Sequence, residues 1–423
     1  MFVGVKRYPV EELKLGMYVC ELDRPWTDTP FLYQGFFLDT DEQLAEVRKY
    51  CEYVFVDEFR QRDDDVAHQH AVSATKRRPE ASVERNPFER NPFERTGAQD
   101  RTEVYPVQHA VEQELDAAKS AREVMEEAYQ GIVFDLMRQK VPVLTKVRQA
   151  VGGMVESVIR NPNAMVWLTR LKDLDSYTYA HAIDVCAFLL VFGRHLGMPK
   201  EDLRVLGLGG VLLDIGKSRL PLPLLQKRSE LTAREFETLR SHVQLGIEIL
   251  SRMENVPARV MEMVQQHHER FDGSGYPNGL KENRIGVYGR MAAIVDTFDA
   301  ITSDRPYAKA LSSHEALRKL YDWGGTLFHK GLVEQFIECL GIYPVGTLVE
   351  LTTGEVGIVL AQNRFRQLRP KLVLILDKEK RPYGTMDVLD LIDEPTDGDG
   401  MPLEIVRALE PGMYGVNPRE YYL

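Results

Sequence analysis

The chain has no apolar run approaching the roughly 20 residues that cross a bilayer; its longest such stretch, Ala187 to Phe192, is the size of a core helix segment. Its start, M-F-V-G-V-K-R-Y-P, lacks the basic and then apolar regions of a secretory signal. Only four cysteines occur, Cys20, Cys51, Cys186 and Cys339, scattered and without a C-x-x-C pair. That excludes a zinc ribbon and a disulfide framework, and it points to a reducing cytoplasm. An excess of positive charge is also missing: 53 basic against 64 acidic residues leave −11 at pH 7. The balance argues against a nucleic-acid polymer or an anionic membrane as partner, so any phosphate chemistry must be local. What is present, 423 residues of which 44% are hydrophobic, suffices for two or three domains with at least one sizeable core.

Residues 1–60 mix short β-type runs, M-Y-V-C-E-L and Y-V-F-V-D, with one helical segment from Asp41, which reads as a small α+β module. From 61 to 108 the chain turns polar and proline-bearing, with D-D-D, K-R-R-P-E and a tandem R-N-P-F-E at Arg85–Glu89 and Arg90–Glu94. This composition predicts a disordered linker, its repeated phenylalanine being a candidate docking motif. Residues 109–160 predict connecting helices: a long one from His109 to about Lys140, and a second after Pro142 that ends at Arg160, before the breaker N-P-N. The long helix could pair with a second copy of the chain, but it carries no strict heptad, and packing on its own domain is the competing expectation. Residues 161–345 predict a helical domain. In 346–423 the runs V-G-T-L-V-E-L, G-E-V-G-I-V-L-A and L-V-L-I-L-D predict a small barrel-like β-domain.

The stretch V-L-L-D-I-G-K places a carboxylate, Asp214, after a run of core residues and on the face of Leu203, Leu206 and Gly210. A buried carboxylate needs a cation or hydrogen-bond donors. Four histidines also lie on apolar helix faces. His181 sits between Tyr177 and Val185, His242 opens a helix bearing Leu245 and Ile249, and His267 and His268 close one bearing Val260 and Val264. Asp296 is set among Ala292, Ala293 and Ala300. Taken singly, each is more simply a hydrogen-bonded core residue. Together they are the donors of a divalent-ion site. The segment H-H-E-R-F-D-G-S-G-Y-P-N-G-L then follows two of the histidines with Gly273, Gly275 and Gly279, which allow close backbone approach to a ligand.

H-H-E-R-F-D-G-S-G-Y-P, D-I-G-K, P-L-L-Q-K-R-S-E-L-T and I-V-D-T-F-D-A-I-T-S-D-R-P-Y together resemble the HD-GYP family of metal-dependent phosphohydrolases over residues 162–341. The first sixty residues resemble, more weakly, the uncharacterised domain that often precedes HD-GYP domains in bacteria. The resemblance implies a multidomain protein whose all-α core holds two divalent ions, iron or manganese, and hydrolyses the bacterial second messenger cyclic di-GMP to pGpG and on to GMP. It implies His181, Asp214, His242, His267, His268 and Asp296 as metal ligands, Asp214 bridging the ions. It implies Lys217 beside the scissile phosphate, and Gly275, Tyr276, Pro277 and Arg305 on the substrate side. Ala308 stands where the family has a lysine, with Lys309 as substitute. Gly-Tyr-Pro loops also imply protein partners that make cyclic di-GMP.

The sequence departs from the family in its name-giving doublet, which here is Leu213-Asp214. Leucine cannot ligate, so the ion expected at His181, Asp214 and Asp296 is held more weakly than its neighbour at Asp214, His242, His267 and His268. Tyr177 stands where some members carry a glutamate for a third ion, so a trinuclear centre is not expected. Two functions follow: a phosphodiesterase with an attenuated metal site, or a catalytically inactive receptor or interaction module in cyclic di-GMP signalling. A third, another phosphohydrolase of the wider HD superfamily, is disfavoured by the Gly-Tyr-Pro segment.

Overall fold

The computed structural model describes residues 5–23, 36–38, 41–57, 104–170, 177–227, 229–303, 310–363, 366–398, 400–410, 412–416 and 418. The R-N-P-F-E repeats, Arg305, Lys309 and the side chain of Tyr177 lie outside them. The chain is multidomain, with an N-terminal α+β module, an all-helical core and a C-terminal β-module.

In the N-terminal module β1 (Val5–Pro9), β2 (Tyr18–Leu22), β3 (Phe36–Phe37), α1 (Asp41–Tyr50) and β4 (Tyr53–Asp57) form an antiparallel sheet of order β1-β4-β2-β3 with one helix. The alternation of Y-V-F-V-D decides the faces. Val54 and Val56 turn into a core with Val19, Leu22, Leu44 and Val47, while Tyr53 lies beneath the Arg7 guanidinium at 3.6 Å.

The helical core begins with α2 (Val111–Met137), α3 (Thr145–Arg160) and α4 (Pro162–Arg170). The buried stripe of α2 (Val111, Ala118, Met125, Tyr129 and Ile132 among others) enters the same core as the helices that follow. α3 ends at Arg160, as the N-P-N breaker predicted. The N-P-N stretch starts a helix as well as ending one: the Asn161 Oδ1 accepts from the Asn163 N–H at 2.9 Å, and Pro162 takes the first helical position, where no N–H is needed. One expectation is corrected: within residues 104–108, expected as linker, the chain is pinned to the core through Tyr105. Tyr105 is buried, its hydroxyl donating to the Met198 carbonyl at 3.0 Å and its carbonyl accepting from buried Arg194 at 2.7 Å.

Next come α5 (Tyr177–His195) and α6 (Lys200–Leu212), followed by a 3₁₀ turn (Ile215–Arg219), α7 (Leu222–Leu225), α8 (Ala233–Arg240), α9 (His242–Leu250), α10 (Ala258–Gln266), α11 (Val287–Thr302), α12 (Ser313–Asp322) and α13 (Lys330–Leu340). α5 is buried along Ala182–Phe192 and runs against α6 and α11. Asp214 is not on a helix, as its spacing to Leu206 and Gly210 predicted. α6 ends at Leu212, and Asp214 occupies the junction with the 3₁₀ turn at φ −99°, ψ 12°. The turn can lie against α9 because residue 216 is glycine. A Cβ there would stand 1.9 Å from the His242 carbonyl oxygen and 2.5 Å from the Gly246 nitrogen, both backbone atoms. Gly216→Ala is therefore expected to cost about 1–3 kcal/mol by forcing the turn off α9, read as a lower urea midpoint. An unchanged midpoint would show that the turn yields freely.

The C-terminal module consists of β5 (Leu348–Leu351), β6 (Val356–Ala361), β7 (Lys371–Leu376), β8 (Pro382–Asp390) and β9 (Ile405–Leu409), all pairs antiparallel in the order β8-β7-β6-β5-β9. Among the described residues β8 and β9 are edges that do not pair, so the module is an open sheet, where a barrel-like closure was expected. Its apolar runs are continuous because both faces are covered. Leu348, Val356, Ile358 and Leu360 face the helical core, whereas Val349, Leu351 and Val359 join a second cluster with Leu372, Leu391 and Leu403. Among the described residues no helix is long and apolar enough to cross a membrane.

Candidate metal centre

Five separate elements deliver the candidate donors. His181 comes from α5, Asp214 from the junction after α6, His242 from the first turn of α9, His267 and His268 from just past α10, and Asp296 from mid-α11. They fall into two groups, Asp214 with His242, His267 and His268, and His181 with Asp214 and Asp296. Within each group the potential ligand atoms lie within 4.8 Å of one another. Asp214 belongs to both, and its two oxygens divide between them. Oδ2 lies 3.5 Å from His181 Nε2, and Oδ1 lies 3.3 Å from His242 Nε2 and 3.9 Å from His267 Nε2.

The protonation pattern fits cations. The Nδ1 of His242 lies 2.6 Å from the Leu239 carbonyl and that of His267 lies 2.9 Å from the Val264 carbonyl. A carbonyl only accepts, so each Nδ1 carries the proton and each Nε2 presents a lone pair. Those two Nε2 atoms face each other at 3.5 Å. Burial holds both imidazoles neutral, His242 pushed down to about 4 and His267 also lowered; His268 lies well below the usual range through burial and the neighbouring His267. Asp214 Oδ1 is buried without a hydrogen-bond partner. Converging lone pairs around a buried carboxylate oxygen repel unless a cation sits among them.

His181 behaves differently. Burial would lower its pKa, but hydrogen bonds to Asp214, Asp296 and Asp299 outweigh it and raise the imidazole well above its usual value. Its Nδ1 donates to Asp299 Oδ2 at 2.7 Å, and its Nε2 lies 3.2 Å from Asp296 Oδ1. The Nε2 proton thus occupies a position between carboxylates that a divalent ion would take, while the Asp299 contact would persist as the outer support typical of metal-binding imidazoles. Burial also works against ionisation of Asp214 and Asp296, but the Lys217 charge on the first and the His181 hydrogen bond on the second hold both carboxyls low. Lys217 Nζ lies 2.5 Å from Asp214 Oδ2 and remains about a third exposed, at 32%.

The glycine-rich segment folds over the histidines. Tyr276 stacks on His268 with ring centroids 4.6 Å apart, and its N–H donates to the His268 carbonyl at 3.1 Å. Gly275 permits this return: a Cβ would sit 2.3 Å from the Arg270 nitrogen and 2.5 Å from the His268 oxygen. The peptide bond to Pro277 is cis. Glu269, 1% exposed, braces the loop by accepting from the Asn278 N–H at 2.8 Å and the Leu280 N–H at 2.9 Å. Glu269→Ala is expected to cost about 2–3 kcal/mol, since two backbone donors lose a charged acceptor. Urea unfolding checks the loss, and Glu269→Gln should recover part of it by keeping one acceptor.

All six expected donors therefore converge, with Lys217, Gly275, Tyr276 and Pro277 beside them, while Arg305 and Lys309 are outside the described residues. Leu213 is 2% exposed and belongs to the apolar core, so its position adds no donor to the three-residue group. Two residues escaped the sequence reading. Asp299 was signalled by the i, i+3 spacing of D-T-F-D on one helix face, and Glu269 by an acid directly after the double histidine.

A helical core with two imidazole–carboxylate groups sharing one aspartate defines a metal-dependent phosphodiesterase of the HD class, and residues 135–329 match the HD domain family. A cyclic di-GMP phosphodiesterase of Pseudomonas aeruginosa is 35% identical over 389 residues, 92% of this chain and 89% of its own length. The chain belongs to the HD-GYP family. Residues 5–145 match a domain of unknown function (DUF3391), and residues 348–412 match a KOW domain associated with the HD domain. A cyclic di-GMP phosphodiesterase response regulator of Xanthomonas campestris is 37% identical over 34% of this chain and 38% of its own. A 3'3'-cGAMP-specific phosphodiesterase of Vibrio cholerae is 33% identical over 38% of this chain and 31% of its own.

Proposed function

We propose that this chain hydrolyses cyclic di-GMP to pGpG, and pGpG onward to GMP, at a two-ion centre held by His181, Asp214, His242, His267, His268 and Asp296. The observation that carries the reading is the division of the Asp214 oxygens between two donor groups beneath the Gly-Tyr-Pro loop. The substrate is inferred from the cyclic di-GMP phosphodiesterase of Pseudomonas aeruginosa, which is similar over nearly the whole chain. Iron or manganese suits the mixed imidazole and carboxylate donors. The chemistry that divalent ions would supply there is acidification of water and withdrawal of charge from the phosphoryl oxygens. His242 and His267 would bind through Nε2 while their Nδ1 protons stay on the Leu239 and Val264 carbonyls. Asp299 would orient His181 through Nδ1. Lys217 sets a positive charge beside Asp214 that favours an incoming phosphate, and Arg305 and Lys309 would hold that phosphate. The reaction adds water across one P–O3′ bond, the 3′ oxygen taking a proton. The chemistry is assigned to residues 161–345, with 1–60 and 346–423 accessory.

The test is product analysis with the purified protein loaded with manganese or iron under reducing conditions, cyclic GMP-AMP being run in parallel. Formation of pGpG is the expected result, and no turnover of cyclic di-GMP with any divalent metal would sink the proposal. Leu213 favours one alternative, a receptor that binds the nucleotide without cleaving it, because its buried side chain leaves the His181 group one donor short. Binding without turnover, unchanged when Leu213 is replaced by histidine, would select that alternative.

A further inference from the structure

α8 contributes no buried residue to the core. Its helix is started by a reciprocal cap, the Glu235 N–H donating to Thr232 Oγ1 at 3.3 Å and the Thr232 N–H donating to Glu235 at 2.7 Å. That fixes the face on which Phe236 and Arg240, four residues apart, stand together. Both turn to Tyr276. The Phe236 and Tyr276 rings meet edge to face with centroids 6.4 Å apart, and the Arg240 guanidinium lies 4.5 Å from the Tyr276 ring centre and 5.2 Å from that of Phe236. Through Tyr276 the cluster is continuous with His268, and so with the donor groups.

Core packing does not account for this cluster. Phe236 stays 43% exposed, and Arg240 satisfies Nη1 on Glu237 at 2.8 Å while its buried Nε has no hydrogen-bond partner. A ring left in water beside a stacked guanidinium offers what a nucleobase needs, an apolar π surface with cationic donors at its edge. Arginine also matches the O6 and N7 acceptors of guanine, a pair that adenine does not present. We propose that Phe236 and Arg240 form with Tyr276 a shelf that takes one purine base of the substrate beside the donor groups, Arg240 favouring guanine. This rests on the reading of the substrate as a cyclic dinucleotide.

The test compares kinetics of the full-length, manganese-loaded protein on cyclic di-GMP, cyclic di-AMP and methyl p-nitrophenyl phosphate, which carries no base. Phe236→Ala and Arg240→Gln are expected to raise KM for cyclic di-GMP about tenfold, as lost base stacking or base pairing does. Their loss of kcat/KM on cyclic di-GMP should exceed that on the base-free ester by about fivefold or more, and Arg240→Gln should narrow the preference for guanine over adenine. Phe236→Leu keeps the apolar contact with Tyr276 and should show the same selective loss. Equal losses on dinucleotide and ester, or an unchanged KM in Phe236→Leu, would mean that the cluster only supports Tyr276 and would overturn the shelf alone. A wild-type protein that neither binds nor cleaves either dinucleotide would overturn the functional reading and the shelf with it.

Discussion

Asp214→Ala is expected to lower kcat/KM for cyclic di-GMP by about 1,000-fold or more. Asp214 is the residue common to both candidate groups, with one oxygen toward His181 and the other toward His242 and His267. At the proposed two-ion centre its removal would take a ligand from each ion and release Lys217 from its carboxylate partner. Losing the electrostatic hold of both ions amounts to several kcal/mol of transition-state stabilisation, and each 1.4 kcal/mol is tenfold in rate. Metal analysis should fall in parallel with activity. Asp214→Asn, which keeps the shape but loses the charge, should be nearly as inactive and should retain less metal than wild type. If Asp214→Ala keeps a tenth of wild-type kcat/KM, hydrolysis does not depend on this carboxylate.

Leu213→His should act in the opposite direction. The His181 group has three donors and the His242 group four. Leu213 directly precedes the shared aspartate and keeps helical angles, φ −49° and ψ −50°, at the end of α6. An imidazole added there is expected to tighten metal binding by about 10- to 100-fold, the range already seen for residues that only support ligands. Activity should rise about tenfold with it. The substitution also exchanges a buried apolar side chain for a polar one, at about 1–3 kcal/mol in the metal-free protein. Two readouts therefore move in opposite directions: the metal-free variant melts below wild type, but manganese raises its melting temperature by more, because a ligand stabilises the state that binds it. Equal metal shifts in the two proteins would show that position 213 does not reach the group.

Much of the site is legible in the sequence because its local parts obey local rules. The stripe through His181, Val185 and Leu189 is a helical repeat, and α5 forms over it. The glycines of G-S-G-Y-P signal a close approach of the backbone, and Gly275 makes one against Arg270 and His268. Asp214 shows where such rules stop. Its spacing to Leu206 and Gly210 reads as helix, yet the chain leaves the helix at Leu212 because Gly216 lets the following turn press against the His242 backbone. Tyr105 shows the same limit: its surrounding composition reads as linker, but Arg194 and Met198, far along the chain, take its polar atoms.

By itself, then, the sequence determined the donor types, the helices that carry His181, His242 and Asp296, the glycine-rich loop, and the leucine that precedes Asp214. Only the tertiary structure decided that Asp299 stands behind His181 from 118 residues away, that Glu269 anchors the loop, and that each oxygen of Asp214 faces a different group. Periodicity and caps are set by neighbours a few positions apart and leave a local signature. Which side chains meet across α5, α6, α9, α10 and α11 depends on how those helices pack into one core, and that packing is a property of the whole chain.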